Sequence, residues 1–234
     1  MRTTGNTIEE LINELGSEKE CRKNCALGTF SRMAARIANL SHEDSIYQVI
    51  GTGLRELVAD SVVVVNSFDE PSGMFYLQAF LGAETCMGRI ASMLGAAPVG
   101  KRLAINDEAK RELSSGTLKQ VPGGLYSLAM GNIPKSICTA IARLLGIGEV
   151  YAVGFTWKGQ LFGSANFLLR NNGKPINPDL VNAFVSLASI ALQRHHMEET
   201  LWNQSKRTES CCRNTISSVK PLPIRFLWLT WTAI

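Results

Sequence analysis

The chain has 234 residues, 45% of them hydrophobic and 19% charged. That is an ordinary globular composition, which excludes a disordered or fibrous protein and suits one sizeable domain with appendages. Its formal net charge of +4 would by itself invite a nucleic-acid or membrane partner, but no acidic residue follows Glu209 while Arg213, Lys220 and Arg225 do, so residues 1–209 hold 21 basic against 20 acidic residues.

The body is therefore almost neutral, and a nucleic-acid partner is not expected. Met1 to Leu15 is polar and acidic, with no apolar run of the signal-peptide kind. No stretch approaches the ~20 apolar residues of a spanning helix, so a cytoplasmic protein without a transmembrane segment is expected. Six cysteines, Cys21, Cys25, Cys86, Cys138, Cys211 and Cys212, are too sparse for a disulfide scaffold and are expected as free thiols.

Two capping boxes open the chain, Thr7 with Glu10 and Ser17 with Glu20. The second helix is predicted to run to about Asn39, with Leu27, Phe30, Ala34 and Ile37 as its apolar stripe. Ser41 and Asp44 start another, striped by Ile46, Ile50, Leu54 and Leu57 and ended by Asp60. The β-branched run Val62 to Val65 reads as a strand buried on both faces, followed by turn chemistry at Asp69 to Gly73 and a second strand, Met74 to Leu81. Residues 84–94 return to helical spacing, Pro98-Val99-Gly100 opens an extended segment towards Ile105, and Asn106 caps a helix that Gly116 ends. A short strand is predicted at Leu118 to Val121, a break at Pro122-Gly123-Gly124, and a helix from Pro134 to Gly146. Two β-rich segments, Glu149 to Trp157 and Gln160 to Leu169, flank Lys158-Gly159 and read as a tight hairpin. Pro178 and Asp179 lead a long helix, apolar on one face to about His195 and polar beyond. Hairpins joined in sequence, with helices between, indicate an α+β fold.

This order, with Leu57–Asn66 and Phe68-Asp69-Glu70, Pro98-Val99-Gly100, Val121-Pro122-Gly123-Gly124-Leu125-Tyr126, Ile133-Pro134-Lys135, Tyr151–Thr156 with Leu161–Ser164, and Ala191–Arg194, resembles a GAF domain. The wording is similar to GAF modules of methanogen, that is archaeal, sensory histidine kinases, over roughly residues 42–197. The resemblance implies a six-stranded antiparallel sheet with helices on both faces and long N- and C-terminal helices. The terminal helices would pack on one face, and a ligand pocket would lie on the other, roofed by the segments between Gly82 and Leu145. It further implies sensing of a small molecule in signal transduction of the two-component kind, with output through the closing helix to a partner. The divisions expected are a helical lead over 1–41, the sensory domain over 42–197, and over 198–234 a helix end with an irregular, basic, Trp-containing tail. No kinase signature follows Met197, so the reading is a non-catalytic, truncated relative of a sensor kinase, dimeric through helices 17–39 and 178–203.

Candidate ligand-binding residues are Cys86, Arg89, Tyr126, Asn132 and Cys138, all in the presumed roof. A thiolate from Cys138 or Cys86 is what a haem-binding redox sensor would use, although both also suit a core as small apolar residues. A thiol enzyme resembling the free methionine sulfoxide reductases would need an activated thiolate and a resolving thiol; Arg89 lies one turn from Cys86. Cys21 and Cys25 share a helical face but are two ligands where zinc needs four, so no metal is expected. The tail reads as the product of a disrupted frame or as a weak membrane-surface contact.

Overall fold

The computed structural model describes residues 28–39, 45–171, 173 and 175–218, with side chains of the last helix described to 202 and at 204 and 206. The two capping boxes, Cys21, Cys25, Ser41, Asp44 and the tail beyond Ser218 lie outside the described residues. The residues up to Gln193 form one compact unit, and those from Arg194 form a second.

Helix α1 covers residues 28–38 and α2 covers Ile46–Leu57. Strands β1 (Ser61–Asp69) and β2 (Met74–Leu81) follow as an antiparallel hairpin. A 3-10 turn at Glu84–Cys86 leads into α3 (Met87–Leu94), then β3 (Arg102–Ala104), α4 (Asp107–Leu113), β4 (Lys119–Gln120), α5 (Gly124–Leu128) and α6 (Lys135–Leu145). Strands β5 (Ile147–Trp157) and β6 (Gln160–Arg170) precede the closing helix α7 (Pro178–Ser218). The strands form one six-stranded sheet of order β3-β2-β1-β6-β5-β4, every neighbouring pair antiparallel. The α+β class and the six-stranded antiparallel sheet are those expected from the sequence.

Strand β1 lies mid-sheet between β2 and β6, and Val62 to Val65 are all buried because helices cover both faces. On one face Val63 and Val65 pack with Ala79, Phe155 and Phe167 against Ile50 and Leu54 of α2 and Phe184 and Ala188 of α7. On the other, Val62 and Val64 pack with Leu77, Val150 and Leu168 against Ile90 of α3 and Ile141 and Leu145 of α6. Phe30 meets Phe184 edge to face, ring centroids 6.3 Å apart, which seats α1 on α7. The β5–β6 hairpin turns through Lys158 at φ 49° and Gly159 at φ 81°, the positive angles that a two-residue turn matching strand twist requires.

Two local expectations change. Pro122-Gly123-Gly124 interrupts the chain, yet a helical turn, α5, starts at Gly124 itself. The closing helix also runs further than expected, to Ser218, placing Cys211 and Cys212 on helical backbone. Its second half has no broad apolar face, but no Gly or Pro occurs between Pro178 and Pro221. Arg194–Glu198 (3.6 Å) adds an i,i+4 ion pair, and His195 Nε2 stands 3.4 Å from Glu199 Oε1 one turn on. Among the described residues no helix is long and apolar enough to cross a membrane.

Candidate functional site

The roofed face of the sheet is mostly apolar, with a small polar patch at its centre. Asn66, Ser164 and Asn166 are buried there among valines and leucines. Asn66 donates through Nδ2 to Ser164 Oγ at 3.1 Å, and its Oδ1 is buried without a partner. Above this floor the side chains of α3 and α6 fill the space: Ile90, Ile141 and Leu145 are buried, with Phe80, Met93 and Leu144 packed around them. The expected roof is present, and an open volume lies at its margin.

That volume is a cleft of about 460 Å³ between α5, α6 and the start of β5. One wall is a stripe of α6, Lys135, Thr139, Ala142 and Arg143, whose spacing of i, i+4, i+7 and i+8 puts them on one helical face. The facing wall is Gly123 to Tyr126, and Ile147, Gly148 and Asn171 close the end. Gly146 ends α6 in the left-handed conformation at φ 66°, and a side chain there would point into open space. Lys135 Nζ stands 5.9 Å from the centroid of the Tyr126 ring, a cation over an aromatic face. Among the described residues no Asp or Glu lines the cleft.

Two of the five candidate residues, Tyr126 and Cys138, meet in this cleft. Tyr126 is exposed and presents its ring, whereas Cys138 is only 1% exposed. The Cys138 thiol donates to the Ile133 carbonyl at 3.7 Å, and burial pushes its pKa up. That burial disfavours the thiolate, the form that haem ligation or nucleophilic attack uses. Cys86 is half-buried at the start of α3 against the roof core, its Sγ 3.8 Å from Thr85 Oγ1. Both thiols are free. Arg89 is exposed on α3. Asn132 serves the backbone: Oδ1 accepts from Ala104 N–H at 2.9 Å, and Nδ2 donates to the carbonyls of Ala104 and Ala129, both at 2.8 Å. It holds the end of β3 to the turn before α6. Among the described residues no group of three or more His, Cys, Asp or Glu is placed to hold a metal ion.

On the opposite face, α7 is bonded to the sheet by two of its polar side chains. The β5–β6 register steps from Phe155–Gly163 to Thr156–Leu161, a β-bulge, and the Thr156 N–H donates to Ser189 Oγ at 3.0 Å. The Leu118 N–H, just before β4, donates to Asn182 Oδ1 at 2.9 Å.

No family model and no curated protein matches the chain. Solved structures do. The chromophore-binding domain of an unusual bacteriophytochrome from R. palustris aligns with a TM-score of 0.53 at 9% identity, over 76% of this chain and 62% of that one. The chain has a GAF-like fold. Two GAF domains align at a TM-score of 0.49: that of a cyanobacteriochrome, at 18% identity over 69% of this chain and 95% of that one, and that of an Acinetobacter phosphoenolpyruvate-protein phosphotransferase, at 10% identity over 75% and 98%. The chain spans about three-fifths of the bacteriophytochrome domain.

Within the GAF-like frame, the residues that sequence reasoning missed are Lys135 and Arg143. Their signal was available in part: two cations eight residues apart on the flank of α6 away from Ile141. What brings Tyr126 across to them is the short helix α5, hidden behind its glycines.

Proposed function

We propose that this chain is a non-catalytic sensory domain that holds a small molecule in the cleft between α5 and α6 and reports on it through α7. The observation that carries the reading is the cleft itself: its volume falls within the range of small-molecule sites, roughly 300–1,000 Å³, and Lys135, Arg143, Thr139 and Tyr126 offer it polar groups. The chromophore named for the bacteriophytochrome and its GAF-like fold agree with a ligand-binding role. The bonds from Ser189 and Asn182 tie α7 to the sheet that forms the end of the cleft. The module belongs, on this reading, to a cytoplasmic signalling protein related to archaeal sensor histidine kinases, with a partner protein as its output. It dimerises through its terminal helices, for which the exposed Ile190, Met197 and Leu201 on α7 supply apolar positions at spacings of seven and four.

The test is amide hydrogen exchange with and without the fraction of a cell extract below about 1 kDa. Protection of residues 123–148 together with a change in α7 is expected. No protection of 123–148 from any extract overturns the reading.

A further inference from the structure

The lining of the cleft carries more than its volume. Among the described residues its lining holds the cations Lys135 and Arg143 and no carboxylate, Glu149 lying on the adjoining hollow beyond Gly148 and Asn171. The nearest acidic residue in sequence to the lining strand segment, Glu149, accepts a hydrogen bond from the Tyr151 hydroxyl at 3.0 Å and does not line the cleft. Both cations are exposed on α6, about 12 Å apart along its axis at 1.5 Å per residue. Long flexible stems therefore let both reach one occupant from the two ends of the wall. The Lys135 ammonium already lies over the Tyr126 ring, so one arm of the cleft joins a positive charge to an aromatic surface. Thr139, between the two cations on the same stripe, spends its hydroxyl proton on the Lys135 carbonyl at 2.8 Å, so Lys135 and Arg143 are the charged donors this wall offers an acidic ligand.

We infer that the cleft selects an organic anion with a planar ring: the acid group pairs with Lys135 and Arg143, and the ring lies against Tyr126. This rests on the reading of the cleft as a small-molecule site and names the ligand class it takes. A neutral ligand would leave both cations unused, and a bare inorganic anion would leave the aromatic wall unused.

Isothermal titration with phenyl phosphate, inorganic phosphate and benzyl alcohol tests the inference. Phenyl phosphate is expected to bind at least tenfold more tightly than either of the others, and more weakly as salt is raised. Lys135→Gln and Arg143→Gln each weaken it severalfold, and the pair by tenfold or more. Tyr126→Leu weakens phenyl phosphate while leaving inorganic phosphate unchanged. All three side chains are exposed, and unchanged melting temperatures establish that the variants fold. Benzyl alcohol binding as well as phenyl phosphate, or full binding by the Lys135→Gln/Arg143→Gln protein, overturns the inference. If that happens while an extract still protects residues 123–148, the small-molecule site stands and only its anion selectivity falls.

Discussion

The Glu84 carboxylate joins two parts of the chain through Arg55, whose Nη1 stands 3.1 Å from Glu84 Oε1 across 29 residues. The same oxygen accepts the Gly82 N–H at 2.8 Å, while the Gly82 carbonyl accepts from Arg170 Nη2 at 3.0 Å. The turn that starts the roof is thus held at once to α2 and to the end of β6. The Gly82 amide, then the backbone of Glu84 itself, hold the Glu84 pKa below its ordinary value against a small cost of burial, with Arg55 and Arg170 adding to the effect.

A depressed carboxylate pKa contributes stability above the unfolded value, near 4.3, that is lost as pH falls through the lower folded value. Glu84→Gln is therefore expected to destabilise the protein at pH 7 by about 0.5–1 kcal/mol, a small figure because both side chains are largely solvated. The gap between variant and parent should shrink as pH falls below about 4. Urea unfolding at pH 7 and pH 3.5 checks this; an undiminished gap at pH 3.5 assigns the loss to something other than the charge.

Gly163 shows how closely β1 and β6 approach. A Cβ there would run into the Asn66 carbonyl oxygen, with Ser67 Cα 3.4 Å away. Backbone cannot yield as a side-chain tip can, so Gly163→Ala is expected to cost about 3 kcal/mol. Chemical denaturation measures it, and a loss under 1 kcal/mol would show that the strands separate easily.

The buried pair Asn66 and Ser164 makes a sharper test of the polar floor. Ser164→Ala takes away the acceptor of Asn66 Nδ2 in a place where Asn66 Oδ1 is already without a partner. The cost is expected at about 1–3 kcal/mol. Replacing both, Asn66→Val with Ser164→Ala, removes the stranded groups and should cost less than Ser164→Ala alone. A double variant less stable than the single one would mean that Asn66 contributes through contacts other than this bond.

These cases also show which features a sequence displays. Val62 to Val65 and Lys158-Gly159 announced their strands and turn because β-branching and a glycine turn act locally. The second half of α7 carries no apolar stripe to announce it; the absence of Gly and Pro carries the helix from the expected end near 203 to Ser218. Asn132 read as a ligand group because a polar residue in a roof has few obvious uses. Its bonds to Ala104, 28 residues away, exist only once β3 and the turn before α6 are brought together. The cleft is of the same kind: Tyr126 and Arg143 become neighbours of one space through tertiary packing, which no periodicity records.

Cys138 and Cys86 supply the last test, since their environments set opposite expectations for reactivity. Burial raises the Cys138 pKa, so at pH 8 its thiolate fraction is reduced, and at 1% exposure a reagent must wait for the site to open. Cys86 is half-buried at the start of α3. In protein with Cys21, Cys25, Cys211 and Cys212 replaced by Ser, an aromatic disulfide reagent is expected to modify Cys86 at least tenfold faster than Cys138. The slow phase should disappear in Cys138→Ala and merge with the fast one in urea. Rapid modification of Cys138 in the folded protein would indicate an accessible thiolate, the form that a ligand or nucleophile requires.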